Sequence, residues 1–583
     1  MPTSLRLALL ASSTLLMAAP AHAAWLHACP AAQLPAGVQA QAKATGADGK
    51  PLAYFVDAAP RHPGCATVPL DLPAAGAVES LYPLDPGEAP AATIVLLGDM
   101  RDGRFAAGEH ELPASGPAAA PGAPGAAGPR DPMPLRANLL AGMRVRAFGV
   151  EERVQVQRDG ARLRVTCRPG KRAAGVVLAG PWYLPRADVV LAARAAGDAL
   201  AFTWQVADAA RVARDDAFDL TPLAGAKETV RLALPARLER GDWRQFVLLC
   251  PESAATLQLD TLALEPASAP KTVPRATWVW RPGDWIDNGA PLLDWAAANG
   301  IGALFVTVPL KDGAAVRAPD LLADFVRAAG KRGVKVYSVD GDPHMVLAQN
   351  LPDVVQRAQA YAAYNAAAAP DARLAGMQFD VEPYLLPASD LPPSERDARY
   401  IAMARALKDV AQASGTLELE FVVPFWWGKN RALLDGLAPY ADRLAVMDYR
   451  TDPGQVVEFA VPFLDWAQAH GREARIALEA GSIDAQTQRR YVRAAAGEAA
   501  DLVAADIGGR QVLALLRAPV PVPAAAGAQP VPARYRLAGS RVLDGSATTF
   551  HADKAALLQR LPAFEADFGA WPGFGGVAVH ELR

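Results

Sequence analysis

Beyond Pro274 the chain alternates short apolar runs with segments of helical periodicity. The apolar runs fall at 277–280, 303–308, 334–340, 377–382, 417–426, 443–451, 475–480 and 576–580. Between them, apolar residues recur three and four apart over 291–299, 320–331, 351–367, 394–414, 431–441 and 456–470, and a last helix is expected over 553–568. Continuous apolar strands alternating with helices are the pattern of a parallel sheet covered on its outer face. Eight such repeats across 274–583 predict a closed α/β TIM (β/α)8 barrel with one large insertion between strands seven and eight. The Pro/Ala-rich stretch 518–532 in that insertion is expected to be a disordered surface loop.

Upstream the period changes to two. Runs at 144–148, 154–157, 162–166, 201–206, 243–249 and 256–264 alternate apolar and polar residues, which predicts a β-sandwich over 135–267. Its closing strand, ending at 261–266, resembles the last strand of jelly-roll carbohydrate-binding modules. Trp182, Tyr183 and Trp204 are candidates for a sugar-stacking platform, against the commoner use of such rings as sandwich core. Residues 24–112 read as a small β-rich domain, with strands at 52–56 and 92–97, and 113–134 as an Ala/Gly/Pro linker. The expected fold is therefore multidomain, with N-terminal β-sandwich regions followed by the barrel.

Residues 1–23 have a positive start, an apolar run and Ala21-His22-Ala23, the pattern of a signal peptide cleaved before Ala24. A secreted or periplasmic protein is expected, with no membrane insertion after cleavage. Cys29, Cys65, Cys167 and Cys250 allow three disulfide pairings. Cys29–Cys65 with Cys167–Cys250 is preferred because each bond then stays inside one domain. A formal net charge of -3 gives no electrostatic reason to expect a nucleic-acid partner.

Chemistry concentrates on barrel strand four. In Gly376-Met377-Gln378-Phe379-Asp380-Val381-Glu382-Pro383-Tyr384, side chains alternate, so Gln378, Asp380 and Glu382 share the inward face. Active groups of this fold sit where strands end. Two carboxylates at that spacing push each other's pKa values apart, which equips one as a general acid. The alternative is a buried charge network that merely closes the barrel.

Asp380-Val381-Glu382 resembles the D-x-E end of the motif of chitinase-like (family 18) glycoside hydrolases, and Met447-Asp448-Tyr449-Arg450 is similar to that family's M-x-Y-D. The resemblance covers the barrel alone. It implies that Glu382 protonates a glycosidic oxygen, that Asp380 orients a 2-acetamido group acting as internal nucleophile, and that Tyr449 hydrogen-bonds it. Ala375 and Gln378 stand where that pattern carries further aspartates, and Arg450 where it carries an Asp.

A second catalytic reading makes Glu479, at the end of strand seven, the nucleophile, since Glu382-Pro383 also resembles the N-E-P of other retaining glycosidases, with Val381 replacing Asn. Gln378, Tyr449, Arg450, Trp280, Trp426, Tyr384, Asp340 and His580 are candidate substrate contacts, because aromatic planes and polar strand ends suit a glycan. Trp278, Trp285, Tyr337, Phe425 and Trp427 are further rim aromatics, and of the adjacent Trp426 and Trp427 only one is expected to meet substrate. His344 is a possible orienter of acids. No metal is expected, since neither H-x-H nor H-E-x-x-H spacing occurs, and no cofactor, since Walker, G-x-G-x-x-G and G-x-S-x-G elements are missing. Two functions follow: a secreted glycoside hydrolase acting on a polysaccharide or oligosaccharide, or a non-catalytic glycan-binding or envelope-assembly protein with a degenerate barrel.

Overall fold

The computed structural model describes residues 24–46, 49–70, 72, 78–84, 93–97, 100–101, 104–105, 110–111, 131–149, 151–208, 217–223, 229–386, 390–415, 417–483, 485–521 and 532–583. The expected signal peptide and most of the expected linker lie outside these residues. The chain divides into two units, one of residues 1–120, 387–390 and 484–544, the other of 121–386, 391–483 and 545–583.

The first unit is all-β. Strands Ala42–Thr45, Pro51–Asp57, Trp25–Pro30 and Ala66–Pro69 form an antiparallel sheet in that order. Cys29, in the inner strand Trp25–Pro30, is bonded to Cys65, which precedes the neighbouring edge strand Ala66–Pro69, with Cα atoms 4.3 Å apart. A second sheet runs Val78–Leu84, Arg510–Pro521, Ala499–Ile507, Ala533–Leu543, Gln486–Arg493, Thr93–Leu97 and His110–Glu111. The barrel insertion thus supplies four strands to a sheet whose remaining strands come from the N-terminal region. This differs from the expected separate domain at 24–112. It also corrects part of the expected loop at 518–532: residues 518–521 belong to a strand, and 522–531 lie outside the described residues.

Alternation explains why the insertion forms a sheet. Val503, Ala505, Val512 and Ala514 enter one apolar cluster, while Leu502, Ala504, Leu513 and Leu515 enter another. Both faces are covered, so the strands read as unbroken apolar runs. Gly508 and Gly509, with φ of 65° and 76°, make the two-residue turn between them, which side-chain-bearing residues enter at a cost.

The second unit carries the sandwich and the barrel. One sandwich sheet orders Arg144–Phe148, Gly175–Ala179, Arg244–Leu249, Thr203–Asp208 and Ala217–Asp219. The other orders Val154–Asp159, Arg162–Cys167, Ala255–Pro266, Val189–Gly197, Thr229–Ala233 and Thr221–Leu223. Cys167 ends a strand of one sheet and Cys250 follows a strand of the other, so their disulfide ties the sheets together. Trp204 is 2% exposed and its indole donates to the Ala199 carbonyl. Trp182 packs on the core, and Tyr183 is buried with its hydroxyl bonded to Asp465 of helix Pro453–His470, so these rings are used inside the protein.

The barrel closes through Arg275–Val279, Ile301–Thr307, Lys335–Asp340, Gly376–Phe379, Glu418–Pro424, Arg443–Met447, Glu473–Glu479 and Phe574–His580, all parallel. Helices Gly289–Ala298, Pro319–Gly330, Leu351–Ala367, Pro393–Ser414, Arg431–Leu437, Pro453–His470 and Lys554–Phe568 follow the strands in turn. On strand four Met377, Phe379 and Val381 are at most 1% exposed and pack outward with Tyr400 and Phe421. Burying each apolar side chain contributes about 1.5–3 kcal/mol. That outward packing fixes the opposite parity of Gln378, Asp380 and Glu382. The strand itself ends at Phe379, so both acids stand on the loop just beyond it.

Candidate active site at the C-terminal mouth of the barrel

Inside the barrel, polar groups form two groups at different heights. Gln378 is wholly buried, accepting from the Trp278 indole at 2.6 Å and donating to Glu420 at 2.8 Å. Glu420 also accepts from Arg443 at 2.9 Å and Arg475 at 3.2 Å. Burial works against the Glu420 charge, but the two guanidiniums hold its carboxyl below the usual range. Tyr337 donates to Glu418 at 2.8 Å in the same region. Gln378 is therefore a member of a closed internal network and not a substrate contact, and Tyr337 is not at the rim.

Two residues further along strand four the situation reverses. Asp380 is partly exposed, yet its Oδ1 is buried and has no hydrogen-bond partner among the described residues. Burial, and then the Glu382 charge, push its carboxyl up to about 7 against the pull of His580. Its backbone N–H donates to the Asp340 carbonyl at 2.8 Å. Gly341 lies against the Asp380 carbonyl so closely that any Cβ there would collide with it. The Glu382 Oε1 accepts from the Tyr384 hydroxyl. Burial and the Glu382 charge raise the Tyr384 phenol, which stays a neutral donor.

Strands one, six, seven and eight complete the mouth. His580 Nδ1 lies 2.9 Å from Glu479 Oε2, and His580 Nε2 lies 2.7 Å from the Trp280 indole nitrogen. An indole N–H only donates, so Nε2 accepts and the proton sits on Nδ1, directed at Glu479. Burial lowers the His580 pKa, but the Glu479 hydrogen bond and charge outweigh it and leave it raised. Tyr449 stacks on His580 with ring centres 6.2 Å apart. Burial first, then the charges of Glu479, Asp380 and Glu382, raise the Tyr449 phenol. Trp280 is 37% and Trp426 45% exposed, and Tyr384 meets Trp426 edge-on at 5.0 Å. Trp427 is buried against Tyr400.

Several expected contacts lie elsewhere. Arg450 places its guanidinium 4.3 Å from the Phe425 ring centre and donates to the Tyr449 carbonyl, which turns it away from the acids. Asp340 is bound by Arg357 at 2.6 Å, by Tyr361 at 3.3 Å and by the Gly341 N–H at 3.1 Å, so its acceptor capacity is used within the protein. His344 is exposed and bonded to Asp342. Trp278 is buried inside the barrel, and Trp285 packs on Phe325 in the helical layer.

Glu479 is 6% exposed and bound on both oxygens, by Gly481 N–H at 2.5 Å and by His580. The sequence reading missed Glu420, Arg443 and Arg475. Their signal was a charged residue of inward parity within an otherwise apolar strand.

No family model matches the chain, and no curated protein matches it. Among solved structures it is similar to a chitinase from Bacteroides thetaiotaomicron at 12% identity, over 36% of this chain and 69% of that one, with a TM-score of 0.26. It is similar to the spore cortex-lytic enzyme SleL of Bacillus megaterium at 11% identity, over 55% and 73%, with a TM-score of 0.30. A GH18 chitinase from Cycas revoluta in complex with (GlcNAc)3 is similar at 13% identity, over 52% and 94%, with a TM-score of 0.28.

Proposed function

We propose that the chain is a glycoside hydrolase acting on a polysaccharide or oligosaccharide of N-acetylated amino sugars, with Glu382 as general acid. The observation that carries this reading is Asp380: a carboxyl oxygen buried at the barrel mouth, beside a second acid, with no donor to satisfy it among the described residues. A buried acceptor without a partner is costly, and a ligand N–H would remove that cost. The amide of a 2-acetamido group offers such a donor.

In the reaction the Asp380–Glu382 pair holds one proton, which passes through Glu382 Oε2 to the glycosidic oxygen while Tyr384 steadies Oε1. Asp380 holds the acetamido N–H, so that the acetamido oxygen attacks the anomeric carbon from the opposite face. The neutral Tyr449 phenol donates to that acetamido group. Glu479, with both oxygens bound by the protein, serves as the residue that fixes His580 and not as the nucleophile. Trp280 and Trp426 offer exposed rings for sugar faces to stack on. The protein acts outside the cytoplasm, in the periplasm or secreted. Its two disulfides support that compartment, and among the described residues no helix is long and apolar enough to cross a membrane.

A glycan-binding barrel without turnover is the second reading. Gln378 favours it: one position of the family's acidic series is an amide locked into the internal network. Wild type and Glu382→Gln are compared on matched N-acetylated and de-acetylated oligosaccharides by release of reducing ends. Cleavage confined to the acetylated series and lost in the variant supports the hydrolase. Cleavage of the de-acetylated series would contradict the acetamido mechanism, and no cleavage alongside equal glycan binding by both proteins would leave the binding reading in its place.

A further inference from the structure

The first unit contains a second cluster of chemistry-bearing side chains, independent of the glycosidase reading. His27 stands in strand Trp25–Pro30, Asp57 ends strand Pro51–Asp57, and His62 lies on the turn that follows. Their donor atoms all lie within 4.8 Å of one another. His27 Nε2 is 3.0 Å from Asp57 Oδ1, and His62 Nε2 is 2.6 Å from Asp57 Oδ2. The geometry points to a binding site for one divalent transition-metal ion of the zinc class, held by His27, Asp57 and His62.

Three features of the cluster support an ion. The donor set is two imidazoles and one carboxylate, which suits zinc-class ions; calcium and magnesium prefer all-oxygen shells. The outer nitrogen of His27 is already held: Thr67, its cross-strand partner, sets its hydroxyl 2.8 Å from Nδ1. A ligating histidine characteristically has its second nitrogen fixed in this way, which turns Nε2 towards the metal. When Nε2 binds an ion, the Nδ1 proton points to Thr67, whose hydroxyl rotates to accept it. Asp57 is likewise tied, accepting from the Ala59 N–H at 2.9 Å.

The site also has a closed side and an open one. The His27 side chain is wholly buried and stacks on Phe55, whereas Asp57 is 30% and His62 16% exposed. The exposure of Asp57 and His62 gives an ion a path from solvent, and a water as fourth ligand would complete the pattern of a three-residue zinc site. Cys29–Cys65, next to strand residues His27 and Thr67, pins the strands that carry the ligands.

The test uses the full, untagged chain after removal of metal by chelator and dialysis. Zn2+ is titrated calorimetrically and Co2+ by visible absorption, on wild type, His62→Gln and Asp57→Asn. One ion per wild-type chain, a Co2+ spectrum of low-coordinate type, and at least ~10-fold weaker binding in both variants is the expected result, given the sensitivity of metal sites to lost partners. Circular dichroism and the absence of free thiol confirm that the variants are folded. The proposal is overturned when folded wild type takes up no stoichiometric Zn2+, or when both variants bind it as wild type does.

Discussion

Two polar groups stand two residues apart, Gln378 in barrel strand four and Asp380 just past its end, and they are used in opposite ways. At Gln378 the amide is enclosed by Trp278 and Glu420, and Glu420 is matched by Arg443 and Arg475. At Asp380 a buried carboxyl oxygen has no donor among the described residues, and a second acid stands beside it. Side-chain parity is the same for both, so parity alone does not separate structure from chemistry. Height along the barrel does: the lower layer is surrounded by strands that supply partners, whereas the upper one faces the mouth. A buried carboxylate matched by two guanidiniums holds the barrel together, and a carboxyl oxygen left without a donor at the open end awaits a ligand.

The largest effect is expected in the lower layer. Glu420→Gln leaves the buried Arg475 without its anion, while Arg443 keeps Glu473, and should cost about 3–5 kcal/mol of barrel stability in denaturant unfolding at pH 7. A cost no greater than that of a surface substitution would show that the network is not closed.

Asp380→Asn should have the opposite sign. The folded carboxyl titrates at about 7, above its unfolded value near 3.8, so ionising it costs stability as pH rises between those values. Below both values the proton is bound in both states and the effect vanishes. The Asn variant should therefore match wild type below about pH 3 and exceed it by on the order of 1–3 kcal/mol above pH 7, while losing glycan cleavage. Equal stability of the two proteins across that range would mean that Asp380 is satisfied after all.

The smallest effect belongs to the rim. Trp280→Phe removes the donor facing His580 Nε2 and should cost no more than about 0.5–1.5 kcal/mol. It frees Nε2 for a proton, so the His580 midpoint followed by NMR should move upward. An unchanged or lower midpoint would argue that the indole does not set the tautomer.

The barrel was legible because strands buried on both faces read as apolar runs between helices, and all eight expected runs overlap observed strands. Strand four was read three residues too long, since the acids keep the strand's parity after Phe379 although pairing has stopped. The cysteine pairing was legible from keeping each bond inside one domain, and both bonds form as expected. The partnership of Val78–Leu84 with Arg510–Pro521 was not, because the pairing joins segments separated by the whole sandwich and most of the barrel. Its local half was visible in Gly508-Gly509, a two-residue turn signal between apolar runs.

At the mouth, Asp380, Glu382, Tyr449 and His580 were legible from strand position. Gln378, Arg450 and Asp340 were misplaced because depth, an aromatic neighbour and a helix-borne arginine decide their fate, and none of these shows in strand spacing. His27, Asp57 and His62 carried no recognisable spacing, since their proximity depends on strand pairing.

The most direct test of the acidic mouth is the rate of cleavage of an N-acetylglucosamine oligomer by wild type and by Glu382→Gln, both shown to bind it. Wild-type turnover with a loss of about 10²–10⁴-fold in the variant is the result expected for removal of a general acid. Equal rates in the two proteins, or no turnover by wild type on any N-acetylated glycan it binds, would contradict the account.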